Sequence, residues 1–415
     1  MGLEAREAPS SWCVRMNPIF IPYGAYWCTP FARWQGSLSH LHSLRFAAHV
    51  ARAALETRDI PVTVFDQGLL GMTVPQRQCF YGFPWLAGEL GAPHLAGPTI
   101  MQACATSARV ITHAAHDISL GNADCVLAIT ADRVSNGPHV YYPNPRGPGG
   151  TGETEDWVLS NFESDPFARC TMVATAERCA SRWGISTAEQ HALVLRRLEQ
   201  YQQALIPGPA GTFQTRYMTL PFPVPDAKFS RTLTTLTGDE GIHASTAEGL
   251  ARLRPVNTGG TVTFGGQTHP ADGNAGMVIT TKARARELAR DPAISIEIRA
   301  SAQARTEIAM MPAAPVEAAR RALAGAGITV NDLAAIKSHN PFAVNDILFA
   351  REMGVELEHM NNYGCSLIWG HPQAPTGMRA IIELIEELAL LGGGWGLFHG
   401  CAAGDTAMAM VFKVN

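Results

Sequence analysis

Apolar residues recur at helical spacing through 41–57 (LHSLRFAAHVARAALET), whereas 63–71 (TVFDQGLLG) and 97–102 (GPTIMQ) read as strands. A helix over about 105–118 and a strand over 123–131 (ADCVLAITA) follow. A second series fills the C-terminal part: helix 315–325, strand 333–338, helix 343–353, a long helix 373–391, and strands at 395–399 and 407–413. Alternation of this kind predicts α/β layers.

The two series also resemble each other. Ala51-Arg-Ala-Ala-Leu-Glu-Thr-Arg-Asp-Ile60 aligns with Ala319-Arg-Arg-Ala-Leu-Ala-Gly-Ala-Gly-Ile328 at an offset of 268 residues. That offset carries Cys104, at the start of one helix, onto Pro372 beside His371, at the start of another. A duplicated protein would bring those helix ends together near a pseudo-twofold axis. Helix N-termini expose unpaired N–H groups and partial positive charge, which depress a thiol's pKa and hold developing anions. The middle of the chain breaks the rhythm. PNPRGPGGTGETED (143–156) is a Pro/Gly-rich loop, 176–205 reads as one helix, and 206–250 reads mostly as loop, so an inserted lid is expected. The expected divisions are a leader at 1–15, a first half over 16–138 completed by 251–282, the insertion at 139–250, and a second half at 283–415.

Length and composition narrow the class. At 415 residues, with 46% hydrophobic and 16% charged residues, the chain can bury a large core of more than one domain. A net charge of −4 without a long basic run removes the footprint of a nucleic-acid binder. No run of about 18 apolar residues points to a membrane span, and nine cysteines without CxxC pairs read as reduced thiols in a cytoplasm. Nothing in the sequence calls for a metal or a redox cofactor.

Three segments together resemble the thiolase family: MQACATSARV (101–110) its nucleophile segment, IWGHPQAPTGMR (368–379) its GHP-x-G-x-[ST]-G-x-R signature, and HGCAAGDTAMAM (399–410) its C-x-G-G-x-x-x-A-M end. Further matches include Cys28-Thr-Pro-Phe-Ala-Arg33, ADRVSNGP (131–138), MVATAERCASRWGISTAEQ (172–190), GTVTFGGQT (260–268) with Asp272-Gly273, and SHNPFA (338–343). The resemblance implies a five-layer αβαβα fold of two similar halves with a loop domain, assembled as a homodimer or homotetramer.

It also implies a mechanism. Cys104 would attack an acyl-CoA thioester to form an acyl-enzyme, with free coenzyme A as co-substrate and no permanently bound cofactor. His371 would accept the thiol proton. Cys401 would move the α-proton, and the backbone N–H groups of Cys104 and Ala403 would form an oxyanion hole. His339 falls where most thiolases have the Asn of Asn-Glu-Ala-Phe and sterol-carrier-type members have His; its ring N–H would donate to the thioester oxygen. Thr268 sits where the family has a Ser contacting the pantetheine arm. Asp405 replaces a usual Gly without evident reason.

Trp369 and the aromatic residues of the insertion, Tyr141, Tyr142, Trp157, Phe162 and Phe167, leave room for a bulky or aryl acyl group. A thiolase of that sort cleaves benzoylsuccinyl-CoA with a small zinc-ribbon and oligonucleotide-fold partner subunit. Two other classes compete. A ketoacyl synthase shares the fold and nucleophile but uses a Cys-His-His or Cys-His-Asn set without an equivalent of Cys401, and a non-catalytic lipid-binding or scaffold relative needs no intact reactive set.

Overall fold

The computed structural model describes residues 18–209 and 211–415; the expected leader at 1–15 lies outside them. An eleven-stranded sheet is the backbone of the fold. Its main path uses β1 (Ile19–Pro22), β2 (Gln67–Gly71), β3 (Thr99–Ile100), β4 (Cys125–Arg133), β5 (Ala271–Thr280), β6 (Ser295–Arg305), β7 (Leu333–His339), β8 (Gly394–Ala402) and β9 (Thr406–Val414). The strand order is β7-β8-β9-β6-β1-β5-β4-β2-β3, and two short strands at Tyr26–Cys28 and Ala32–Arg33 pair with β5. Each wing ends in parallel strands, β7 with β8 at one edge and β4, β2 and β3 at the other, while the middle is antiparallel.

Burial explains why β4 reads as continuously apolar. Cys125, Leu127, Ile129 and Ala131 face a core shared with α1 (Ser43–Thr57) and α2 (Gly82–Leu90), whereas Val126 and Ala128 face the main core. A strand covered on both faces loses the polar alternation of a half-exposed one. The main core surrounds α3 (Thr106–Ser119), and the outer helices α4 (Met172–Trp183), α5 (Thr187–Ala204), α6 (Ala314–Ala326) and α7 (Ala343–Met353) pack around the second wing and the insertion.

α3 lies against α8 (Ala374–Leu390) between the wings, completing the αβαβα layering. Their first residues, Thr106 and Ala374, stand at the 268-residue interval of the sequence repeat. A Cβ on Gly377 would come within 3.1 Å of Ser107 Cβ, so a glycine is what lets the helices meet. α8 is buried from Ala374 to Leu388 and yet carries charged side chains, which can stay there only if paired. Arg379 holds Asp239 at 2.6 and 2.8 Å and Glu383 at 3.0 Å, while Glu386 accepts from Tyr26 at 2.6 Å and Arg216 at 2.6 Å.

Several expectations need correction. The strand placed at 63–71 starts only at Gln67, because Val62–Val64 forms a 3-10 turn after Pro61. The single helix at 176–205 is two: Gly184 turns left-handed at φ 61° and ends α4, and Ser186 with Glu189 forms a capping box that starts α5. The expected loops at 143–156 and 206–250 contain hairpin strands: Glu153–Asp156 pairs with His139–Tyr142, and Phe222–Pro225 with Thr232–Leu236.

Candidate active site

Cys104 stands on a tight turn ahead of α3. Ala103 is left-handed at φ 43°, a conformation costing an L-residue about 1–2 kcal/mol. Thr106 holds that turn, its hydroxyl accepting from Gln102 N–H at 2.9 Å and donating to the Ala103 carbonyl at 2.7 Å. The result is a sulfur directed at the start of α8.

His371 is fixed from three sides. Its N–H donates to the His269 carbonyl at 2.8 Å, its Nδ1 lies 2.6 Å from Thr376 Oγ1, and its Nε2 lies 3.1 Å from Cys104 Sγ. Gly370 before it has φ 93°, and a Cβ there would stand 2.8 Å from His269 Nε2. Gln373 Oε1 is a second neighbour of the thiol at 3.5 Å. Behind this turn the buried Asp132 accepts from Ala374 N–H at 2.8 Å, from Thr73 N–H and Val74 N–H at 2.9 Å each, and from the Thr73 hydroxyl at 2.7 Å. One carboxylate thus ties the first residue of α8 to the loop after β2.

The thiol's acidity departs from the helix-terminus expectation. Burial pushes Cys104 up to about 12, and the backbone N–H groups of Ala403 and of Cys104 itself offset only part of that. Burial, with His339 and His269 nearby, holds His371 well below its ordinary value. The resting pair is therefore a neutral thiol against a neutral imidazole. With Nδ1–H donating to Thr376, Nε2 presents a lone pair to the thiol, an arrangement that can take up the thiol proton.

The hydrogen bonds also fix the state of His339. Asn340 Nδ2 donates to Asp346 at 2.7 Å, which turns its Oδ1 toward Ser366. The Ser366 hydroxyl donates to that Oδ1 at 3.0 Å and accepts Asn340 N–H at 3.1 Å. Its single proton is spent, so the 3.0 Å contact with His339 Nδ1 needs the proton on Nδ1. Nε2 is left as a lone pair and is buried without a partner. Burial and His399 push the ring's pKa down to about 3, which keeps Nε2 unprotonated at neutral pH. Where the sequence led to the expectation of a ring N–H donor, this hydrogen-bond pattern presents an acceptor on Nε2.

Cys401 Sγ accepts from Asn345 Nδ2 at 3.3 Å, and burial, followed by nearby Cys104, holds its pKa well above the ordinary thiol value. Asp405 now has a reason. It is left-handed at φ 58°, which Gly adopts freely and Asp tolerates, and its carboxylate accepts Ala309 N–H at 2.8 Å and Met310 N–H at 3.0 Å. Thr268 donates its hydroxyl to the Ser366 carbonyl and its N–H to the Pro341 carbonyl, so its side chain braces the Ser366 segment and its backbone the loop after His339. Trp369 is fully buried, with the Arg379 guanidinium 4.3 Å above its ring. Tyr141, Tyr142 and Phe167 are exposed, and Trp157 and Phe162 pack beside Val74, Val134 and Val158.

Sequence reading missed Gln373, Thr376, Ser366, Asn340 and Asn345. Thr376 was within sight, one turn beyond His371 in the same signature. Gln373 and Asn340 likewise stand within two residues of His371 and His339, whereas Ser366 and Asn345 act through segments whose proximity no spacing reveals. The farthest link starts in the insertion, where the fully buried Arg197 holds Asp346 at 2.8 and 3.0 Å, and Asp346 in turn fixes Asn340. Among the described residues no helix is long and apolar enough to cross a membrane.

The model of the thiolase N-terminal domain matches residues 25–283 and that of the thiolase C-terminal domain residues 293–414. An acetyl-CoA acetyltransferase of Chromobacterium violaceum is 28% identical over 396 residues, covering 93% of this chain and 97% of that one. The crystal structure of human mitochondrial 3-ketoacyl-CoA thiolase superposes with a TM-score of 0.87 at 23% identity, over 96% of this chain and 99% of that one. The same human enzyme in complex with CoA gives 0.85 at 23% identity, over 96% and 98%.

Proposed function

The chain belongs to the thiolase family, and we propose that it transfers an acyl group between coenzyme A and a carbon nucleophile through an acyl-Cys104 intermediate. The observation that carries this reading is the 3.1 Å contact between Cys104 Sγ and His371 Nε2. In the first half-reaction Cys104 attacks the carbonyl of a 3-ketoacyl-CoA while its proton passes to His371 Nε2. The carbon–carbon bond breaks, and the departing acyl-CoA enolate takes a proton at its α-carbon from Cys401. In the second, the thiol of free CoA gives its proton to Cys401 as its sulfur attacks the acyl-enzyme, and Cys104 leaves with the proton held on His371 Nε2; condensation runs the same steps in reverse.

Negative charge develops on the carbonyl oxygen in both halves. The N–H groups of Cys104 and Ala403 supply donors toward the sulfur. With its lone pair toward the site, His339 takes one O–H of a bound water, whose other O–H is then free for the thioester oxygen. CoA as co-substrate is supported by the CoA complex of the human relative. The reading extends to bulky and aryl acyl groups, benzoylsuccinyl-CoA among them, on the aromatic content of the insertion, of which Tyr141, Tyr142 and Phe167 are exposed.

A ketoacyl synthase is the second reading, because Cys104, His339 and His371 make a Cys-His-His set. Cys401, held by Asn345, is the group that reading leaves idle. A panel of straight, branched and aryl 3-ketoacyl-CoAs assayed with free CoA tests the choice. CoA-dependent cleavage is the expected result; condensation with malonyl thioesters and no thiolysis would support the synthase.

A further inference from the structure

We propose that Asp405 is a positioning residue: its carboxylate pins the tip of the β8–β9 hairpin to the segment ahead of α6 and thereby holds the Ala403 N–H at the Cys104 sulfur. The paired strands end at Ala402 and Thr406, so the tip consists of Ala403, Gly404 and Asp405. Gly404 and Asp405 are both left-handed, at φ 79° and 58°, and lie beyond the last rung of the ladder. Ala403 is exposed and Gly404 half-buried, whereas Asp405 is turned inward and only 2% exposed.

The main chain of 306–310 is shaped to receive that residue. Thr306 N–H donates to the Asp405 carbonyl at 2.9 Å. One carboxylate oxygen accepts Ala309 N–H at 2.8 Å and the other accepts Met310 N–H at 3.0 Å. Left-handed Ala309, at φ 60°, turns these successive N–H groups to one side, the concavity that main-chain amides offer an anion. The receiving segment is itself anchored in the core. Ala309 and Met310 are buried, and the Met310 carbonyl accepts Ala313 N–H at 2.9 Å in the 3-10 turn Met311–Ala313 that leads into α6. Within the tip, the Thr406 hydroxyl donates to the Ala403 carbonyl at 3.2 Å. Thr406 therefore fixes the shape of the turn, and Asp405 fixes its place by tying it to another element. A donor lowers the barrier to forming an oxyanion only if it is held in position before the charge appears. Asp405, two residues from Ala403, supplies that hold and acts on the reaction through Ala403.

The catalytic consequence rests on the proposed acyl transfer through Cys104, so the test includes one readout that needs no substrate. Asp405→Gly keeps the left-handed turn without strain and removes both carboxylate hydrogen bonds, while Asp405→Asn keeps one acceptor. Per folded molecule, Asp405→Gly should lower kcat by roughly 10–10²-fold and leave KM within about threefold, with a smaller loss in Asp405→Asn. Alkylation of Cys104 by iodoacetamide, followed across pH by mass mapping of its peptide, should slow in the same order, because the Ala403 N–H favours the thiolate. In an enzyme that turns over, either readout unchanged in a folded Asp405→Gly would overturn the proposal; a lowered melting point alone marks a packing role. If the wild type transfers no acyl group but alkylation still slows in Asp405→Gly, the proposed function falls and the hold of Asp405 on Ala403 stands.

Discussion

The His339 ring lies stacked on His371, centroids 4.1 Å apart and planes inclined by 27°, and the two differ in what their nitrogens face. His371 Nε2 meets the thiol, while His339 Nε2 meets no protein atom. If the lone pair of His339 supports the thioester oxygen through water, His339→Ala should lower kcat and kcat/KM together by roughly 10²-fold. His339→Asn should recover part of that loss, since its amide oxygen also accepts. Turnover and thermal melting are read on the same samples; unchanged turnover with a lowered melting point would make the ring a packing residue only.

Cys401 is expected to serve proton transfer at the α-carbon and to be dispensable for acylation of Cys104. Cys401→Ala should take up an acyl group from acyl-CoA yet fail to exchange the α-protons of acyl-CoA with deuterium oxide. Exchange at the wild-type rate would assign the proton to another group.

Arg197 is fully buried and shares Asp346 with Ser338, Asn340 and Asn361. Removing one partner of a buried ion pair strands the other, at about 3–5 kcal/mol. Arg197→Ala should therefore lose that much in denaturant unfolding, and the surviving folded fraction should show impaired turnover because Asn340 orients Ser366 and His339. A loss below 1 kcal/mol would separate the insertion from the site.

Acid should destabilise the fold. His339 is held near 3, His399 and His269 near 4, and His371 well below its ordinary value, all chiefly by burial. Below pH 6.5 the unfolded chain binds protons that these four refuse when folded, so stability falls as pH drops toward 4. Asp132, raised to about 7, and Asp272, raised to about 6, act oppositely, because they bind protons first in the folded state. The buried histidines outnumber these two carboxyls, so the net effect of acid is a loss of stability. His399 stacks on Phe349 at 3.6 Å with neither ring nitrogen bonded, so His399→Phe should flatten that fall in chemical unfolding series. An unchanged slope would show that His399 does not stay neutral.

What the sequence made legible was whatever a local pattern encodes. The apolar spacing of α1, α3 and α8 and the alternation of strand with helix lead to the layers, and the repeat interval leads to the meeting of Cys104 with His371. β5 went unread because Gly273 and Gly276 break its apolar run. Those glycines sit where a Cβ would lie 2.5 Å from the Phe31 ring and 2.2 Å from the Trp27 ring, contacts that only the fold creates. The same holds at the site. Candidate side chains are visible as motifs, but the protonation of His339 depends on Ser366, Asn340 and Asp346, and the acidity of Cys104 on burial that outweighs its helix end.

The central claim is that Cys104 carries the acyl group, with His371 as its proton acceptor. Brief incubation with an acyl-CoA, acid quenching and peptide mass mapping measure it directly. One added acyl mass is expected on the peptide containing Cys104, none in Cys104→Ser, and acylation slowed by roughly 10²–10⁴-fold in His371→Ala. An acyl group on any other cysteine, or full turnover by Cys104→Ser, would contradict it.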